Sequence, residues 1–168
     1  MKVSAQIQKN ITQFNNDLQK AQYSATRAGL RQGINEYKRI TKPLIPKLAQ
    51  STPYRQKGAL ARKLRASVKL NKDKTGGRAS LYFSTRADKP AMLTRKRVRT
   101  TKSGKKLTGA VKAYKNDAFY WFMVDQGTSK MTGRFYRNRA KAAGQARADQ
   151  KLLETYRDTL MAKMKRWK

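Results

Sequence analysis

Apolar residues recur at helical spacing through the first third of the chain. Val3, Ile7, Ile11, Phe14, Leu18, Ala21, Ala25 and Ala28 step by 4, 4, 3, 4, 3, 4 and 3, which places them on one face of an α-helix. Gly29 and Gly33 weaken the middle of the run. The stripe resumes with Ile34, Tyr37, Ile40 or Thr41, Leu44 and Leu48, and Pro43 and Pro46 should kink or end the helix near residue 42. A stripe this long can pack on its own domain. It can also pack on a neighbouring copy. The second use makes Ile7, Ile11, Phe14 and Leu18 candidate subunit-interface residues.

Beyond this helix the pattern changes. Ser51–Leu60 is a loop built around Pro53 and Gly58, and Leu60 to Ser67 suits a short basic turn of helix. Val68–Leu70 and Arg78–Ser84 read as two strands flanking a turn at Asn71–Gly77, where Asp73 and Lys74 are turn residues. Leu81 and Phe83 alternate with Ser80, Tyr82 and Ser84, as a half-buried strand requires. Ala118–Val124 is the densest apolar run and is expected to be buried, as strand or short helix. From about Asn138 the helical pattern returns, with Ala142, Ala146, Leu153, Tyr156, Leu160, Met164 and Trp167 on one face. That basic amphipathic helix suits a core position, a membrane surface or a nucleic acid.

The expected fold is therefore α+β: long N-terminal and C-terminal helices packed on a small antiparallel sheet with a basic hairpin or loop. One domain of 168 residues is expected, with the first helix over 1–50, the sheet region over 51–135 and the last helix over 136–168.

The core available to such a domain is thin. Leu, Ile, Val and Phe supply 28 of 168 residues, against 41 Lys and Arg and only nine Asp and Glu. A net charge of +32 has three readings: a nucleic-acid partner, an acidic protein partner, or a solvated, sparsely packed surface whose self-repulsion counter-ions quiet. The same composition excludes several chemistries. Without Cys or His there is no disulfide, no thiol nucleophile, no imidazole base and no Cys/His zinc site. Asp117 and Asp125 flank the apolar run, but no third ligand stands at a telling spacing, so no metal, cofactor or catalytic residue is expected. No phosphate-binding glycine loop is present. The seven-residue apolar run is far below the ~20 residues that span a bilayer, and Met1–Ser4 open no signal peptide. These features suit an intracellular chain or part of a particle assembled inside a cell, with no membrane partner.

The charge concentrates in residues 86–115. Arg95, Lys96, Arg97, Arg99, Lys102, Lys105 and Lys106 lie within twelve residues, around a turn at Thr100–Gly104. Met92, Val98, Leu107 and Val111 are too sparse for a core, so an exposed hairpin or loop is expected. Few aromatics stand here, which favours phosphate contact over base stacking. The arm is the candidate contact for nucleic acid or for an acidic neighbour.

One string is more specific than composition. Tyr120-Trp-Phe-Met-Val-Asp125-Gln-Gly127-Thr128-Ser129-Lys130-Met131-Thr-Gly-Arg134-Phe135 resembles a signature of the tail completion or neck proteins of long-tailed phages, also described as minor tail components. Pro53 to Gly58-Ala59-Leu60, followed by basic residues and Ser67-Val68, is similar to a second segment of that family. Asp125 stands where the family has Glu, Gln126 where it has an aromatic or apolar residue, and Lys57 where it has Thr. The resemblance implies a structural virion protein without enzymatic activity. It implies a homo-oligomeric ring, six-fold in the family, at the head-to-tail joint around the channel that DNA crosses. Its partners would be neighbouring neck, tail terminator or connector proteins and genomic DNA. Its location would be the virion neck or tail, and the host cytoplasm during assembly. Physically, Gly127 suits a positive φ, the Thr128 and Ser129 hydroxyls suit a turn, and Asp125 suits anchoring the loop through a backbone N–H or Arg134. The other reading of the whole chain is a sequence-independent nucleic-acid-binding basic protein.

Overall fold

The computed structural model describes residues 2–53, 55–73, 75–84, 92–114 and 116–165. The arm's margins at 86–91 and 115, and Tyr54, Lys74, Asp88 and Trp167, lie outside the described residues. The architecture is α+β, with a long helix at each end of the chain and two-stranded sheets between them in sequence. The chain divides into two compact units. One comprises residues 1–42, 65–82 and 137–168, the other 43–64 and 83–136.

The first unit is built on helix α1 (Lys2–Leu44), 43 residues and so ~65 Å long. Its Pro43 sits in the last turn, and the helix ends one residue later. Ala21, Ala25, Gly29 and Gly33 are buried at steps of four, with Ile34 and Thr41 beyond them. The two glycines are therefore points of closest approach, and the expectation that they weaken the stripe is corrected. Helix α4 (Tyr136–Met164) runs antiparallel against this face. A Cβ on Gly29 would stand 2.9 Å from the Leu152 carbonyl oxygen, and one on Gly144 would stand 3.0 Å from Ile40 Cγ2.

The buried face of α4 is Ala140, Gly144 and Ala148, continued by the half-buried Leu152 and Tyr156. Ala142, Ala146 and Leu153, expected on that face, are exposed, Leu153 to 65 %. Small residues at four-residue spacing let two backbones approach, and that fit outweighs burying the larger side chains. Strands β1 (Leu64–Leu70) and β2 (Gly77–Phe83) complete the unit, joined through Asn71 N–H to the Gly76 carbonyl at 2.9 Å. Asp73 accepts the Thr75 N–H in the turn.

The second unit carries helix α2 (Ala59–Arg62), which follows Gly58 at φ 74°. It is shorter than the turn of helix expected over 60–67, because β1 already starts at Leu64. Strands β3 (Met92–Thr100) and β4 (Lys106–Tyr114) form an antiparallel hairpin. Helix α3 (Trp121–Gln126) precedes two short strands, β5 (Gly127–Thr128) and β6 (Met131–Thr132). An aromatic cluster organises this end: Phe83 stacks on Trp121 at 5.5 Å and meets Tyr136 edge-on at 6.1 Å. Tyr136 is fully buried, and its hydroxyl donates to the Trp121 carbonyl.

The apolar run is only partly buried, contrary to expectation. Ala118 and Tyr120 are covered, whereas Phe119 and Phe122 are 52 % and 44 % exposed. A helical turn sends residues three apart to one side, and here that side faces outward.

Candidate nucleic-acid interface and the motif hairpin

The β3–β4 register fixes how the basic arm distributes its charge. Arg95 pairs with Val111, Arg97 with Gly109 and Arg99 with Leu107. Alternation along a strand puts these six positions on one face of the ribbon, with the three arginine positions ~6.8 Å apart. Lys96, opposite Ala110, shares the other face with Lys112, opposite Thr94, and Lys106, opposite Thr100. Lys102 and Lys105 occupy the exposed turn. Residues 92–114 thus carry eight cations and no acid. Lys112 is not among the arm residues that charge density alone singles out; once a hairpin is assumed, the alternation of two finds it.

At Val98 and Leu107 the ribbon has no covering layer among the described residues. Val98 on one face is 61 % exposed and Leu107 on the other 49 %. The sheet has two strands among the described residues. A Cβ added to Gly109 would meet nothing within 4 Å, so the backbone opposite Arg97 lies open. The turn holds itself: Thr101 N–H donates to the Lys105 carbonyl at 2.9 Å, Gly104 N–H to the Thr101 carbonyl at 3.0 Å, and Lys105 N–H to Thr101 Oγ1 at 3.1 Å. Gly104 supplies the φ of 79° that this turn needs.

The Gly-Thr string folds into a two-residue hairpin on the end of α3. Gly127 pairs with Thr132 and Thr128 with Met131, leaving Ser129 and Lys130 at the turn, where Lys130 N–H donates to Thr128 Oγ1. The returning chain then caps the helix. Arg134 N–H donates to the Val124 carbonyl at 3.0 Å, and Phe135 N–H to the Asp125 carbonyl at 2.8 Å. Asp125 is buried at 3 % exposure, and its main-chain carbonyl anchors the hairpin through the second of these bonds. Gly127 has φ 89° and ψ −177°, a conformation nearly confined to glycine. Gly133 packs so closely that a Cβ would stand 2.6 Å from the Gln126 carbonyl carbon. Thr128, Ser129, Lys130, Met131, Arg134 and Phe135 are exposed.

The upstream segment meets the motif. The Arg55 guanidinium lies over the Tyr120 ring, 3.7 Å from its centroid. Asn116, buried with φ 58°, accepts the Gln56 N–H at 2.8 Å through Oδ1 and donates to Gln56 Oε1. Burial raises the Tyr120 phenol above its ordinary value, against the opposing charge of Arg55. Sequence reasoning missed Arg55 and Asn116. Nothing local to either residue announces a partner sixty or more positions away.

The candidate interface residues of α1 divide by depth. Ile7 and Ile11 are 52 % and 54 % exposed, and Phe14 and Leu18 are half-buried. Among the described residues no group of three acidic side chains is gathered where a metal ion could be held, and no helix is long and apolar enough to cross a membrane. Set against known proteins, the chain matches no family model, no curated protein and no solved structure.

Proposed function

We propose that this chain is a structural protein of a tailed-phage neck, completing the tail and joining it to the DNA-filled head as one subunit of a ring around the DNA channel. It works without cofactor or catalytic step. The string Tyr120–Phe135 carries this reading. The residues that make it resemble the neck family have structural uses here: Gly127 and Gly133 permit the hairpin, and Arg134 and Phe135 cap α3 through their N–H groups. A motif used this way suits assembly better than chemistry. The exposed end of the α1 stripe, Ile7 and Ile11, offers an apolar surface to a neighbouring copy.

The test is electron microscopy of a lysate from a phage with an early stop codon in this gene. Full heads beside unattached tails are expected. Normally joined virions would overturn the reading. The second reading is a sequence-independent nucleic-acid-binding protein, favoured by the acid-free cationic ribbon. It predicts unchanged virion joining together with tight, steeply salt-dependent binding to nucleic acid.

A further inference from the structure

We infer that the β3–β4 ribbon is a duplex-DNA-binding element that lies in a groove with phosphates against both of its faces. The inference rests on the neck reading only for the source of the duplex; the contact itself belongs to the isolated chain.

Three observations carry it. The register puts Arg95, Arg97 and Arg99 at alternate positions that share one ribbon face and Lys96, Lys106 and Lys112 at positions of the other, with Lys102 and Lys105 at the tip. A ribbon lying flat on an acidic protein would use one face. A ribbon between two phosphate walls uses both. Next, the dimensions suit a groove: nine-residue strands are ~30 Å long, and the major groove, ~12 Å wide, admits a two-stranded ribbon. Finally, the ribbon is poor in the aromatic residues that anchor protein interfaces. Its one aromatic, Tyr114, stands at the base, and Gly109 opens the backbone opposite Arg97 to close approach. Contacts of this kind position a duplex without reading its sequence.

The test is fluorescence anisotropy with the full chain and a short mixed-sequence duplex across a range of salt. Replacing Arg95, Arg97 and Arg99 by Gln should lower the log–log salt slope by about 2 to 3, at ~0.9 per phosphate contact. The opposite-face triple Lys96→Gln, Lys106→Gln, Lys112→Gln leaves the strand arginines in place and should lower it by a similar amount. The triple Arg139→Gln, Lys141→Gln, Lys163→Gln removes equal charge from exposed positions of α4 and should lower it by less than about 1. Equal slopes for ribbon and α4 triples would reduce the ribbon to general charge and overturn the inference. So would tighter binding to single strands than to duplex, or displacement of the duplex by polyglutamate at equal charge, which would assign the ribbon to an acidic protein. Loss of duplex binding in the ribbon triples, with virion joining intact in the stop-codon phage, would keep the ribbon and remove the neck. Unchanged duplex binding with unjoined heads and tails would do the reverse.

Discussion

Gly33 of α1 lies against Leu152 of α4: a Cβ built on the glycine would stand 2.9 Å from the Leu152 Cβ and 3.0 Å from the Ala148 carbonyl oxygen. Two effects oppose each other in Gly33→Ala. Helix propensity favours alanine by ~1 kcal/mol, while overpacking costs about 1–3 kcal/mol, and one of the crowded atoms is backbone. The expected result is a net loss near 1 kcal/mol, or ~2–4 °C in Tm for a chain of this size. Thermal denaturation followed by far-UV circular dichroism checks it. A raised Tm would show that the helices separate freely at this point.

The same contact explains what could be read from the chain and what could not. The α1 stripe and its end near Pro43 were legible, because period and proline act locally. So were the strands on either side of the Asn71–Gly77 turn. The partner face was not. Large apolar residues of α4 suggested a stripe through Ala142, Ala146 and Leu153, whereas the helix turns Ala140, Gly144 and Ala148 inward. Periodicity scores side-chain hydrophobicity and is blind to the advantage of having no side chain at a close crossing. In the motif, Gly127 was legible as a positive-φ position. The use of Arg134 and Phe135 as caps was not, since it depends on main-chain groups that any residue carries.

Asn116 joins a left-handed backbone to a buried hydrogen bond. The two contributions separate by substitution. Asn116→Gly keeps the φ and loses both bonds to Gln56, at a cost of about 1–3 kcal/mol. Asn116→Ala loses the same bonds and adds ~1–2 kcal/mol of left-handed strain. Urea denaturation should rank wild type above Gly above Ala. An alanine variant as stable as the glycine variant would sink the strain argument.

The motif hairpin divides into a rigid frame and an open tip. Gly127→Ala brings a Cβ to 2.6 Å from Gly133 N, on a backbone nearly closed to other residues, and should cost about 3 kcal/mol or more. Gly133→Ala meets the Gln126 carbonyl at 2.6 Å and should behave alike. Ser129→Ala and Lys130→Ala change exposed turn residues and should stay within about 0.5 kcal/mol. Near-UV circular dichroism, sensitive to the Phe83–Trp121 stack, would show the first pair disordering this end and the second leaving it intact.

Acid should weaken the α1–α4 unit through Glu36. The Arg39 guanidinium donates to both its carboxylate oxygens, at 2.9 and 2.7 Å, and Arg147 of α4 stands 3.9 Å away. That hydrogen bonding, opposed by desolvation and aided by the charges of Arg39, Arg147 and Lys151, holds the carboxyl below its ordinary value. A folded value below the unfolded one gives stability that is present above the unfolded value, ~4.3, and lost as pH falls through the folded one. Glu36→Gln should therefore flatten the acid limb of stability against pH. Carboxyl carbon shifts in an NMR titration would locate the group directly, and an ordinary titration would contradict the pairing.

Ile7 and Ile11 separate folding from assembly. Both are more than half exposed, so Ile7→Glu with Ile11→Glu removes little buried surface, and the stability of the isolated chain should change by less than about 1 kcal/mol. If this end of the stripe packs on a neighbouring copy, two buried carboxylates at that contact are costly and oligomers should be lost. Sedimentation velocity reads the assembly, and complementation of a stop-codon phage reads the joining. A folded double variant indistinguishable from the wild type in both measurements would remove α1 from the proposed interface. The proposed ring would then need another surface, and the exposed Phe119, Phe122 and Phe135 of the motif unit would be the next to substitute.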